Sequence, residues 1–256
     1  VVSKSFTRAA QEILLKQERT SGNLLLGALA DGTTTLNGTS TSHVFTAAQV
    51  KRFMLDDLNS LLTRAKRIRP SWAGGTPVGG NAGLTDIIVS PETVGDLREM
   101  AYNSMATREA DGTIAAAGNS VIAAPDAVRA PMFASAGIPE FYGVSVMEVH
   151  ELGPNAKFTK IFNVLRSATV PKGPGVQAAS AHTFADTDDL VLGIDRSRDA
   201  FVKAVAVDGE TGSEFSLVAD DQYSIRQAKV GWFGSIEEGR VILDDRAIVG
   251  CSINRT

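Results

Sequence analysis

Residues Leu190–Ile253 read LVLGIDRSRDAFVKAVAVDGETGSEFSLVADDQYSIRQAKVGWFGSIEEGRVILDDRAIVGCSI, a series of short apolar runs separated by polar turns. LVLGI (Leu190–Ile194) leads through Asp195-Arg196-Ser197 to AFVKAVAV (Ala200–Val207). After Asp208–Gly212 comes SEFSLVA (Ser213–Ala219), and after Asp220-Asp221 comes SIRQAKVGWFG (Ser224–Gly234). A turn around Glu237-Glu238-Gly239 then leads to Arg246–Ile253. Runs of this length, rich in β-branched residues and bounded by Gly, Asp and Ser, predict strands. In the last of them Ala247, Val249, Cys251 and Ile253 alternate, which places them on one face. The last quarter of the chain is thus expected to form a β-rich sheet.

Upstream, the periodicity changes to that of helices. Phe6, Ala9, Ala10, Ile13, Leu14 and Gln17 recur at helical spacing and predict a helix over Ser3–Arg19, capped by Ser3 or Ser5. The apolar run Leu24–Ala30 follows and ends at Asp31-Gly32. Thr33–Ser42, rich in Thr, Ser, Gly and Asn, reads as a loop or an exposed extended arm. Its Asn37-Gly38-Thr39 matches a glycosylation acceptor, with no secretion signal to support that use. Thr46-Ala47-Ala48-Gln49 has the form of a capping box. The stripe Val50, Phe53, Met54, Leu58, Leu61, Leu62 and Ala65 predicts a helix from Thr46 to Arg69, stopped by Pro70. A glycine-rich loop follows over Gly74–Gly83. Asp86–Val89 is a short buried strand, and Ser90-Pro91-Glu92 opens a helix with Ser as N-cap and Pro at the first helical position. Beyond a small-residue loop over Glu109–Asn119, Val121–Ala124 suggests a short strand and Pro125–Ser135 a short helix or irregular segment. Val144–Val149 and Phe158–Leu165 read as strands, and Pro171–Gly175 as a rigid connector.

Bulk properties exclude several classes. The chain has 256 residues, 43% hydrophobic and 21% charged, enough to bury a core and too apolar for a disordered segment. The net charge of −4 argues against a protein that coats nucleic acid. Arg64, Lys66, Arg67 and Arg69 form a local basic cluster, read as cations set against a helix C-terminus rather than as a phosphate site. One cysteine, Cys251, allows no intrachain disulfide, and its place on a strand face makes it a buried thiol rather than a nucleophile. No apolar run reaches the length of a membrane helix, and no signal-peptide pattern is present.

Candidate chemistry is sparse. The Gly74–Gly83 loop lacks the strand-before, helix-after context and the spacing of a phosphate cradle. His43, His150 and His182 lie far apart, without the spacing of metal ligands. Asp56-Asp57, Asp188-Asp189, Asp220-Asp221 and Asp244-Asp245 are adjacent pairs. Three fall at predicted strand ends, where Asp favours turns, and Asp56-Asp57 falls on the polar face of the Thr46 helix. Calcium would need a spaced array of oxygen ligands, which is missing. No nucleophile elbow occurs. No catalytic, cofactor-binding or metal residue is assigned, and the chain is not read as an enzyme. The rival enzyme reading would use His150 or an acidic pair.

The order of elements carries a resemblance. A helix ending at Asp31-Gly32 is followed by a second over Thr46–Arg69. Then come Asp86-Ile87-Ile88-Val89-Ser90-Pro91-Glu92 with Asp96-Leu97-Arg98, and the step Ile138-Pro139-Glu140-Phe141-Tyr142-Gly143-Val144-Ser145-Val146. Leu190–Asp195 precedes a β-rich region ending Gly239-Arg240-Val241 and Asp244–Ile248. This resembles the major capsid proteins of tailed bacteriophages, the Hong Kong 97-type fold. The resemblance implies an α+β fold with axial and peripheral domains, a long spine helix and β-sheets. Residues 46–166 would be axial, 1–45 and 167–256 peripheral, and Ser3–Arg19 the tail of the spine helix. It further implies self-assembly into hexamers and pentamers of an icosahedral shell around double-stranded DNA, held by non-specific contact only. Decoration, portal and scaffolding proteins are the implied partners, with no cofactor and no membrane. The location would be the virion, after assembly in the host cytoplasm. An encapsulin nanocompartment shell, of the same fold, is the alternative. The family places an N-terminal arm and an extended hairpin before the spine helix, and little room exists before Ser3. With Val1 in place of a methionine, an N-terminal part is expected to have been removed or to lie outside this chain. No residue match supports the Lys–Asn cross-linking of some relatives.

Overall fold

A computed structural model describes residues 2–36, 39–68, 83–102, 105–106, 121–122, 140–141, 143–167, 182–196, 200–207, 216–220 and 231–256. The expected glycine-rich loop before Gly83, the loop over 109–119, the segment 125–135 and the connector 171–175 lie outside these residues.

Helix α1 spans Val2–Asp31, joining the expected first helix and the apolar run after it into one element of 30 residues. The polar stretch between them does not break the helix. The hydroxyls of Thr20 and Ser21 donate to the carbonyls of Lys16 and Gln17 one turn back, each at 2.9 Å, so they do not compete for the backbone. Strands β1 (Thr33–Leu36) and β2 (Thr39–Ser42) then pair antiparallel, with Leu36 opposite Thr39, where a loop or arm was expected.

The capping box at Thr46 is not used. Thr46 ends strand β3 (Val44–Thr46) and pairs with Ser252 in a parallel ladder. The backbone N–H groups of Ala47 and Lys51 donate to the carbonyls of Ser252 and Asn254, at 2.8 and 2.7 Å, and Lys51 takes a φ of 72°. The segment therefore follows a neighbouring strand instead of coiling. Helix α2 starts at Leu55 and runs to Arg67. Its start is set by Asp57, whose carboxylate accepts from the N–H groups of Ala48 and Met54 at 2.8 and 2.9 Å. Asp57 is thus a buried cap, not a surface residue, and Val50 is 63% exposed, outside the apolar stripe. Phe53, Leu58, Leu61, Leu62 and Ala65 are buried as expected.

Strand β4 (Asp86–Val89) and helix α3 (Pro91–Tyr102) match their expectation, with the Ser90 hydroxyl accepting from the Thr93 N–H at 3.1 Å. Short ladders β5 (Met105–Ala106) and β6 (Val121–Ile122) pair with each other. Strands β7 (Glu140–Phe141) and β8 (Val144–Glu148) follow. Phe158–Leu165 is not a strand. It lies in helix α4, Phe158–Ser167, where Phe158, Phe162 and Leu165 share one face at helical spacing.

The predicted strands of the last quarter do not form one sheet. Strands β9 (Asp188–Ile194) and β14 (Ile248–Asn254) lie inside a six-stranded sheet of order β3-β14-β9-β4-β8-β7. Between them in sequence, β10 (Phe201–Val205) pairs with β13 (Glu238–Ile242), and β11 (Ser216–Asp220) pairs with β12 (Gly231–Ser235), as two nested antiparallel ladders. Glu238 and Gly239 therefore belong to a strand, not to the expected turn. The six-stranded sheet also crosses the expected domain boundaries. Strand β9, from 167–256, pairs with β4, from 46–166.

Helices cover both faces of this sheet. On one face α2 and α3 pack on Ile87, Val89, Val144, Val146, Val191, Val249, Cys251 and Ile253. On the other, the second half of α1 and α4 pack on Leu190, Leu192, Ile194 and Ile248. The alternation of strand side chains feeds the two cores in turn, which is why β9 and β14 are buried almost from end to end. Gly250 lets this happen at a close approach: a Cβ there would stand 3.0 Å from Leu29 Cδ2.

Candidate assembly surface

The sites marked in the sequence turn out to hold the fold together. Asp188 and Asp189 are strand residues, not turn residues, and both are buried. Asp189 Oδ2 accepts from Ser90 Oγ (2.6 Å), Thr93 Oγ1 (2.8 Å) and Arg255 Nη2 (2.7 Å). Arg255 Nη1 also reaches Asp96 Oδ2 and the Lys51 carbonyl, both at 2.7 Å, and Asp96 Oδ2 takes the Phe53 N–H at 2.9 Å. One guanidinium thus ties β9, α3 and the segment before α2. Burial pushes the Asp189 carboxyl above its ordinary value, against the pull of Ser90, Arg255 and Thr93. Sequence reading missed Arg255 and Asp96, because nothing local marks a partner 159 positions away.

A second knot joins β4 to the end of β9. Arg196 forks onto Asp86, with Nε and Nη2 each 2.6 Å from a carboxylate oxygen, and Ser145 Oγ and Thr85 Oγ1 donate to the same carboxylate at 2.6 Å. Burial raises the Asp86 pKa, but Arg196, Ser145 and Thr85 outweigh it and hold it below the usual carboxylate value. Asp244 accepts from the Arg246 N–H and Nε at 3.1 and 2.9 Å, capping a short 3-10 turn over Asp245–Ala247. This is the turn role expected of that pair, and Asp220 likewise ends β11.

The three histidines stay apart in the fold. His43 is fully buried, shares a 2.7 Å hydrogen bond between Nε2 and Thr34 Oγ1, and is lowered by burial to about 4. His182 stacks edge-on against Phe184 at 4.6 Å, and burial lowers it too. His150 opens a 3-10 turn at the end of β8. Cys251 is buried in β14, and burial raises its thiol far above the range in which a thiolate forms. Arg64 leaves the basic cluster and turns inward, its Nη1 2.6 Å from the Ser42 carbonyl and its guanidinium 4.9 Å over the Phe45 ring. Among the described residues, no group of three or more His, Cys, Asp or Glu is placed to hold a metal ion. No helix is long and apolar enough to cross a membrane.

What the fold does present is unfinished surface. The first half of α1 is exposed nearly all round, including Ala9, Ala10, Leu14 and Leu15. At its middle the helix is clasped to the β10–β13 ribbon. Gln17 Nε2 donates to Glu238 Oε2 and Arg240 Nη1 donates to the Gln17 carbonyl, both at 2.9 Å, while Lys203 and Arg240 pair with Glu238. Phe201 and Ile242, paired across the ribbon, pack toward the core on the same face as Arg240 and Glu238. The opposite face carries Val202 against Val241 and Ala204 against Gly239, all exposed, with Leu243 beside them. An apolar ribbon face left bare in this way marks a contact surface.

No family model matches the sequence, and no curated protein is similar to it. Solved structures are. The capsid structure of the cyanophage P-SCSP1u matches at a TM-score of 0.50 and 12% identity, covering 100% of this chain and 67% of that one. The chain shares the fold of a bacteriophage capsid protein. A structure from the Mycobacterium phage Ogopogo also matches, at 12% identity over 97% of this chain and 71% of that one, with a TM-score of 0.30.

Proposed function

We propose that the chain is the major capsid subunit of a tailed bacteriophage, self-assembling through hexamers and pentamers into an icosahedral shell around double-stranded DNA. The observation that carries this reading is the match of the whole chain to the cyanophage capsid structure. The bare ribbon face and the projecting half of α1 support it, since both are stabilised by association rather than in a monomer. A net charge of −4 suits a container that does not grip its DNA. The role is structural, with α1 as the spine helix. Residues 46–166 are axial, and 1–45 and 167–256 are peripheral, sharing the six-stranded sheet as a common frame. Scaffolding, portal and decoration proteins are the partners, and the subunit assembles in the host cytoplasm to reside in the virion.

Electron microscopy of the purified protein tests this. Uniform closed shells are expected, with nucleic-acid density inside particles from infected cells. A stable monomer across salt and pH would overturn the reading. Shells holding protein cargo and no DNA would reassign the chain to the encapsulins.

A further inference from the structure

Helix α1 and the β10–β13 ribbon form two layers, each with one side turned to the other and one side bare. Ile13, Gln17 and Ser21, one turn apart, are half-buried toward the ribbon. Leu15 lies two residues from both Ile13 and Gln17, about 200° round the helix, and so faces away. It is 43% exposed and Leu14 57%. On the ribbon, Val202, Val241 and Leu243 are 39%, 47% and 67% exposed, on the side opposite the α1 clasp. The chain's own helix therefore cannot cover its own outer ribbon face, and neither outer face complements itself in charge.

We infer that the bare ribbon face of one copy is covered by the projecting first half of α1 from a second copy. This rests on the reading of the chain as a shell subunit and names the contact that subunit makes. Charge and length favour this occupant. The projecting helix carries Lys4, Arg8, Lys16 and Arg19 against Glu12 and Glu18, whereas residues 200–243 carry seven acidic side chains against four basic ones. A five-residue strand is about 17 Å long. The helix over residues 2–16 is about 22 Å long, enough to lie along it. Because the two patches differ, the contact is head-to-tail. Each added copy offers the same free patch to the next, and the series closes only as a ring.

Disulfide trapping tests the inference. Leu15→Cys and Val241→Cys proteins are made separately, mixed before assembly and oxidised. Both sites are exposed, circular dichroism checks each fold, and the buried Cys251 thiol does not compete. The expected result is a dimer band at twice the 27.0 kDa subunit mass from the mixture but from neither protein alone. The doubly substituted chain is expected to give a ladder of covalent oligomers. The yield is expected to fall at about 1 M salt, where charges are screened beyond about 3 Å. Shells without this cross-link, or with only like-to-like cross-links, would overturn the contact and leave the shell reading standing. Neither shells nor cross-links would overturn both.

Discussion

At the scale of single residues, the fold is held by charged groups whose partners lie far away in sequence. Arg255 is the plainest case. Replacing it with Leu leaves Asp189, fully buried, with only the Ser90 and Thr93 hydroxyls. Removing one partner of a buried ion pair costs about 3–5 kcal/mol. Urea unfolding of the unassembled Arg255→Leu subunit is expected to show a loss of that size, and adding Asp189→Asn is expected to recover part of it by removing the stranded charge. His43 sets a pH dependence. Its folded pKa of about 4 lies below the ordinary 6.5. Between those values the unfolded chain binds the proton and the native one does not, so stability falls as pH drops through this window. The full loss is on the order of 3 kcal/mol. Asp86, held low, adds its own loss below the ordinary carboxylate pKa, while Asp189 and Asp245, held high by burial, act in the opposite direction. Melting temperatures at pH 7 and pH 4.5 are therefore best compared with those of His43→Gln, in which the drop is expected to shrink.

At the scale of elements, the start of α2 depends on one carboxylate. Asp57→Ala removes the acceptor of the Ala48 and Met54 N–H groups. Loss of such a cap costs about 0.5–2 kcal/mol, and burial of the stranded donors puts this one at the upper end. The expected readout is a lower urea midpoint with an unchanged slope. This element also shows what was legible beforehand. The Leu58–Ala65 stripe announced a helix correctly, but Thr46–Gln49 offered a better local cap than the one used. The parallel partner strand that claims Thr46 comes some two hundred residues later, beyond the reach of any local pattern. Phe158–Leu165 failed differently: aromatic and β-branched residues in a short run fit a strand as well as a helix, and the i, i+4 spacing of Phe158 and Phe162 was the signal to follow. Thr33–Ser42 contained its own answer, because Asn-Gly between Thr-rich runs is a hairpin signal. The buried strands Asp86–Val89, Val144–Glu148 and Ile248–Asn254 were readable because each is a compact apolar run with turn residues on its flanks. The candidate surface was not readable. Val202 and Val241 look like core residues in sequence, and only the ladder shows that their face is bare.

At the scale of the whole molecule, one sheet joins segments that the resemblance assigns to separate domains. Residues 46–166 alone would expose the β4 edge that β9 covers, and half of each core would be missing. An isolated 46–166 fragment is therefore expected to lack cooperative unfolding, and limited proteolysis of the full chain is expected to leave the sheet intact rather than release an axial piece. Nascent-chain protection assays with stalled ribosomes would check this at each length. The central position of β14 has a consequence in time. It sits between β3, made at the start, and β9, so the sheet stays open along its middle until residues 248–254 leave the ribosome. At about 5–20 residues per second, β3 waits on the order of ten seconds or more for its neighbour. Prematurely terminated chains consequently never complete the frame, and a growing particle is spared defective pieces that could otherwise be built into its wall.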